Sequence, residues 1–94
     1  MIRAFREEDT EKVIAVWLEA SFQAHDFIDR RYWENKVHDM RTLYLPLSDS
    51  LVYEDEESGE PVGFMSFIDS FLAGLFILPA YQGKGIGTRL LGLA

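Results

Sequence analysis

The stretch from Leu75 to Leu91 constrains this chain more than any other. An apolar run breaks at Pro79, glycines alternate at 83, 85 and 87, and a helix-like run follows. That order predicts a strand, a glycine-rich turn and a helix N-terminus in succession. Such a turn aims several backbone N–H groups at one point, with the positive end of the helix behind them. The arrangement is suited to holding phosphate.

Ninety-four residues allow one domain with a thin margin of stability. The hydrophobic fraction of 48% and aromatic fraction of 14% fit a packed globular domain and exclude a disordered one. With no cysteine, disulfides and thiolate chemistry are ruled out, and the chain reads as cytoplasmic. No apolar run approaches the roughly 18 residues a membrane span needs. The N-terminal Met1-Ile2-Arg3-Ala4-Phe5-Arg6 lacks the apolar segment of a signal peptide. Net charge is −7, which argues against nucleic acid as a partner and permits a cationic acceptor such as an amine. Much of the acidity lies in Glu54–Glu60, which contains Ser58-Gly59 and reads as a solvated hairpin tip.

The remaining elements follow from periodicity. Met1–Phe5 reads as a short first strand. Asp9-Thr10 supplies a cap for a helix with Val13, Ile14, Trp17, Leu18 and Ser21 on one face, running to about Ala24. Gln23–Ile28 reads as a connection. Asp29 caps a second helix with Trp33, Val37, Met40 and Tyr44 facing inward, ended by Pro46. Leu51–Glu54 and Pro61–Ile68 read as a hairpin, and Asp69-Ser70 as a tight turn. Phe71–Leu78, almost continuously apolar, reads as a strand buried on both faces, with Gly74 marking a bulge or a close backbone approach. From Gly85 a third helix faces inward through Ile86, Leu90, Leu91 and Ala94. The order β-α-α-β-β-β-α describes a mixed α/β (α+β) fold with a mostly antiparallel sheet flanked by helices. The last helix has no stop signal, so residues 1–94 are expected to form a single, incomplete domain.

Two better-known phosphate motifs fail. A P-loop needs glycine where Leu78 stands and Ser or Thr where Gly85 stands. The dinucleotide fingerprint needs glycine at Leu90 and no intervening Pro79-Ala80-Tyr81. The pattern that fits is Gln/Arg-x-x-Gly-x-Gly/Ala, here Gln82-Gly83-Lys84-Gly85-Ile86-Gly87. With Leu75-Phe76-Ile77-Leu78-Pro79 before it, the motif resembles the acetyl-CoA-binding core of the GNAT superfamily of N-acetyltransferases. The order of elements upstream fits as well, and Trp17–Ile28 resembles one bacterial subgroup of small GNAT enzymes. The resemblance covers all 94 residues, aligned with the N-terminal part of such a protein.

The resemblance implies that acetyl-CoA is the co-substrate, without a metal, and that its acetyl group passes to a primary amine on a small molecule or protein. It places the coenzyme against Leu75, Phe76, Ile77, Gln82, Gly83, Lys84, Gly85, Ile86, Gly87 and Thr88. A backbone N–H near Ile77 is expected at the thioester oxygen. Many relatives carry a Glu base on the fourth strand; Ala73–Phe76 hold no acid here. The Tyr that many use as general acid falls beyond Ala94. His25 is the candidate proton carrier, since an imidazole changes protonation near neutrality. His25, Asp26 and Phe27 are candidates for the acceptor side, and for each a local turn or packing role is the alternative. His38-Asp39 receives no role, and two histidines without cysteine form no metal site of known spacing. Two rival readings remain at this stage. One is an acyl-CoA-binding module without turnover. The other is a fragment that associates through exposed sheet edges, possible as a homodimer.

Overall fold

A computed structural model describes residues 1–92. Its centre is a four-stranded sheet in the order β1 (Ile2–Ala4), β2 (Asp49–Glu54), β3 (Pro61–Ile68), β4 (Phe71–Ile77), with every neighbouring pair antiparallel. Tyr53 faces both Ile2 and Gly63, and Phe64 faces Phe76, so one register runs across the sheet. The long helix α1 (Thr10–Ala24) lies on one face and the short α5 (Ile86–Leu91) on the other. Successive residues of β3 therefore serve two cores. Phe64 joins Val13, Val16, Trp17, Leu45 and Val52 under α1, while Met65 joins Tyr53, Val62, Ile86 and Leu90 under α5.

The first helix ends where expected, and its apolar spacing buries Val13, Ile14, Val16, Trp17, Ala20 and Ser21. Its start differs. Asp9 sits at the cap position, but its carboxylate turns back to accept from the Arg6 amide at 2.8 Å and from the Arg3 guanidinium at 2.6 and 2.7 Å. A charged partner outcompetes the helix's own amides for that carboxylate.

The second helical segment is broken up. Asp29 caps α2 (Arg30–Glu34) by accepting from the Arg31 amide at 2.9 Å. The chain then restarts as α3 (Val37–Asp39), widens into a π-turn over Met40–Tyr44, and closes as α4 (Leu45–Leu47). Pro46 lies inside that last turn and does not precede it. Proline has no N–H and its ring crowds the preceding turn; the widened π-turn just before it, in which the Leu45 amide donates to Met40 O, accommodates both. The π-turn also shifts the inward face by one residue, so Leu45 is buried and Tyr44 is 48% exposed.

β4 departs most from its sequence. Phe71 is 79% exposed and Leu72 47%, and only the half from Gly74 onward is partly covered. The strand buried on both faces is β3, where residues 61–66 are all buried. Asp69, with φ of 55°, makes the tight turn between them. Gly74 stands next to a β-bulge: Ser66 pairs with Gly74 but Phe67 pairs with Leu72, leaving Ala73 over. A Cβ at Gly74 would fall on the Phe76 ring. In α5, Ile86 and Leu90 are buried as expected and Leu91 is 46% exposed; Ala94 lies outside the described residues.

Candidate functional site

The site grows from the end of β4. The Leu78 amide still pairs with Val62 O at 2.9 Å, and Pro79–Tyr81 then form one tight 3-10 turn. Gln82 is extended, and its side-chain amide donates to Ile77 O at 3.1 Å, tying the turn to the strand end. Gly83 and Gly85 take φ of 78° and 80°, and Gly85 is the residue from which α5 starts. A Cβ at either position would meet open space, so the left-handed backbone is what calls for glycine there. Gly87 is different. It lies within α5, and a Cβ on it would make an ordinary 3.6 Å contact with Leu75, so no contact among the described residues requires glycine at that position.

Among the described residues, no protein oxygen accepts a hydrogen bond from the amides of Gly83 through Thr88; the first turn bond is Arg89 N–H to Gly85 O at 3.0 Å. Buried amides are paired almost without exception, so a run of unpaired ones belongs at a surface that meets water or an anion. The Lys84 ammonium rests 5.3 Å from the centre of the Tyr81 ring, and Arg89 donates to the Tyr53 hydroxyl at 3.0 Å.

Beside the turn lies a groove of about 260 Å³. One wall is the C-terminal end of α1, with Ala20, Ser21, Ala24 and His25; the other is Leu75, Phe76 and Ile77 of β4, with Gln82 at the end. β4 pairs with β3 on one side only, so among the described residues its outer edge keeps free backbone donors and acceptors. The fold thus brings His25, the β4 residues and Gln82 into one cleft, with Gly83–Thr88 next along the chain. His25 is held there by stacking on Trp33, with ring centroids 5.3 Å apart and planes at 26°. Trp33 in turn meets Trp17 edge-on at 6.0 Å. Sequence reasoning missed this aromatic support, and it missed Ala20 and Ala24, whose one-turn spacing leaves room for the groove.

Other expected site residues stand apart. Asp26 is exposed and is not among the residues that line the groove. Phe27 is 81% exposed, packs into no core, and touches the site only through a 6.0 Å edge contact with His25. Among the described residues no cluster of His, Cys, Asp or Glu is placed to hold a metal, and no helix is long and apolar enough to cross a membrane. The shifted carboxyls, Asp9, Glu11 and Asp29, lie away from the groove. Each is held below the usual carboxylate range chiefly by a hydrogen-bonded arginine.

Known proteins share this architecture. The family model described as "Acetyltransferase (GNAT) family" matches residues 2–94. The peptidyl-lysine N-acetyltransferase YiaC of Escherichia coli K12 is 33% identical over 92 residues, covering 97% of this chain and 62% of YiaC. The solution structure of apo YjaB from Escherichia coli superposes with a TM-score of 0.83 at 31% identity, over 99% of this chain and 62% of that one. A GNAT family acetyltransferase from Brucella melitensis, solved in complex with acetyl-CoA, has a TM-score of 0.67 at 27% identity over 99% of this chain and 65% of its own. The chain thus spans about three fifths of the length of the curated relatives it matches.

Proposed function

The chain belongs to the acetyltransferase (GNAT) family, and from that premise we propose that it binds acetyl-CoA and carries the acetyl group to the amine of a lysine side chain. The observation that carries this reading is the run of unpaired amides from Gly83 to Thr88 beside a groove and an open strand edge. The amides take the coenzyme's pyrophosphate, with the positive end of α5 behind them. The free edge of β4 takes the pantetheine arm as an added strand would. Lysine as acceptor is supported by the names of YiaC and YjaB and by the chain's net charge of −7, which attracts cations.

The reaction is direct transfer. A neutral amine nitrogen attacks the thioester carbon, a backbone N–H near Ile77 steadies the oxyanion, the C–S bond breaks, and the thiolate leaves. The acceptor enters as an ammonium and must first lose a proton. His25 lines the groove and receives that proton in this reading, since no carboxylate among the described residues lines the groove. The nitrogen gives up its second proton as the amide forms, and the departing thiolate takes up that proton, so that the products are the amide and the free thiol.

Isothermal titration with acetyl-CoA, followed by a thiol-release assay with a lysine peptide, tests the proposal. Binding with thiol release is the expected result, and absence of coenzyme binding overturns it. Binding without thiol release moves the chain to the rival reading, an acyl-CoA-binding module. His25→Ala is expected to lower turnover on the order of a hundredfold while coenzyme affinity stays unchanged. If both stay unchanged, His25 is structural.

A further inference from the structure

A second cavity, of about 280 Å³, opens on the same face of the sheet. Its walls are Trp17, Met40, Leu45, Phe64 and Phe76, and the β-bulge at Ala73 and Gly74 forms part of its rim. Phe76 is common to this cavity and to the His25 groove, so the two are neighbours along one strand. At the rise of a β-strand, Gly74 and Phe76 are about 7 Å apart.

The serine hydroxyls at this cavity are already engaged. Ser66 shares a 2.7 Å hydrogen bond with Ser50, Ser50 shares one of 3.1 Å with Ser48, and Ser48 donates to Leu45 O at 3.1 Å. The Lys36 ammonium lies over the Tyr32 ring at 4.8 Å. The Tyr44 hydroxyl and the Lys36 ammonium have no hydrogen-bond partner among the described residues, but five large apolar side chains line a space of side-chain size. A cavity of this character favours an apolar occupant, because a polar one would lose its water without regaining hydrogen bonds.

We propose that this cavity takes the apolar side chain of a residue flanking the acceptor lysine, while the lysine amine reaches past Phe76 into the His25 groove. The inference rests on the acetyl-transfer reading and adds what that reading lacks, a sequence preference in the acceptor. A flexible lysine side chain bridges the separation between the two cavities. The chain's net charge of −7 favours the approach of a cationic peptide, continuity with the His25 groove through Phe76 seats its flanking residue here, and the cavity then sorts peptides by that residue.

The test uses the full chain and three short lysine peptides, alike except for Phe, Ser or Asp beside the lysine. Binding is first read without coenzyme, by NMR shifts of the Trp17 indole N–H and the Met40 methyl. The Phe peptide is expected to move both signals and to bind on the order of tenfold more tightly than the Ser peptide, with Asp weakest. Ala73→Leu, at an exposed bulge position, narrows the rim and is expected to erase the Phe preference; coenzyme affinity, read at the glycine turn, is the control. Equal binding of the Phe and Ser peptides overturns the proposal. So does a preference that survives Ala73→Leu with the Trp17 and Met40 signals unmoved. Signals that move with protein concentration alone assign the cavity to a second copy and also overturn it. Failure of acetyl-CoA titration would instead sink the acetyl-transfer reading, and the peptide measurement separates the two failures.

Discussion

β3 and β4 lie side by side and have similar apolar content, yet they do different work. Residues 61–66 of β3 are all buried, with helices on both faces and paired strands on both edges. Around β3 the polar side chains find partners within the protein, as in the Ser48–Ser50–Ser66 chain. β4 has one partner strand, a half that is exposed, and a glycine turn whose amides meet no protein oxygen among the described residues. Satisfied groups hold a fold together, and unsatisfied groups at a surface are what a ligand can use. On the proposed function, stability belongs to β3 and recognition to β4 with its turn. Three sets of substitutions test that division.

The largest effect is expected in β3. Phe64 is 1% exposed and stacks on Phe76 with centroids 5.2 Å apart. Phe64→Ala opens a cavity and should cost about 3–5 kcal/mol, a large part of the roughly 5–15 kcal/mol that a domain has. Phe71→Ala in β4 removes an equally large ring that is 79% exposed, and should stay within about 0.5 kcal/mol. Urea unfolding of the two variants measures the contrast. If Phe71→Ala destabilises as much as Phe64→Ala, the outer half of β4 is packed in solution and the division fails.

Gly85→Glu comes next and acts on the other side of the division. The carboxylate faces the proposed pyrophosphate, and φ of 80° becomes unfavourable. Loss of charge-assisted bonds should lower acetyl-CoA affinity on the order of a hundredfold, roughly 3 kcal/mol. Gly85→Asn is the companion variant, because asparagine tolerates the left-handed region. It keeps the turn and adds no charge, so its affinity should lie between that of Gly85→Glu and the parent. Titration calorimetry that shows equal affinity for all three removes the turn from the site.

What the sequence made legible follows from the range of the forces involved. The glycine turn, the Asp69-Ser70 turn and the span of α1 are local, set by backbone preference and by apolar spacing within a few residues, and they appear where expected. The fate of β4 is not local. An apolar run reads the same at a sheet centre and at an edge, and only strand order separates the two. Tyr44 and Leu45 exchanged places because a π-turn has no signature in apolar periodicity. At the candidate site, His25 was visible as a polar residue in a connection. The sequence could not show its stacking on Trp33 or its place opposite Leu75–Ile77, because those depend on how α1 crosses the sheet.

Asp9 provides the smallest of the three effects and the one that depends on pH. Its side chain is 7% exposed and is bound by Arg3 through two hydrogen bonds, with the Arg6 amide as a third donor. The hydrogen-bonded Arg3 guanidinium is the main cause that holds its carboxyl below the usual range; burial works against the shift without cancelling it. A carboxyl with a depressed folded-state value stabilises fully above its unfolded value, about 3.9, and loses that contribution as pH falls through the lower folded one. Asp9→Asn should therefore cost about 2 kcal/mol at neutral pH, where it leaves Arg3 without its main partner. Below about pH 4 the gap between variant and parent should narrow, because the unfolded chain's carboxyl takes up its proton first, and it should close only below the lower folded value. Urea midpoints at pH 7 and pH 3 measure both parts. Because this anchor joins β1 to the start of α1, on the satisfied side of the molecule, acetyl-CoA affinity of the folded variant should remain that of the parent. A gap that persists unchanged at pH 3 would mean that Asp9 acts through shape and not charge, and a loss of coenzyme affinity would mean that the two sides are mechanically linked.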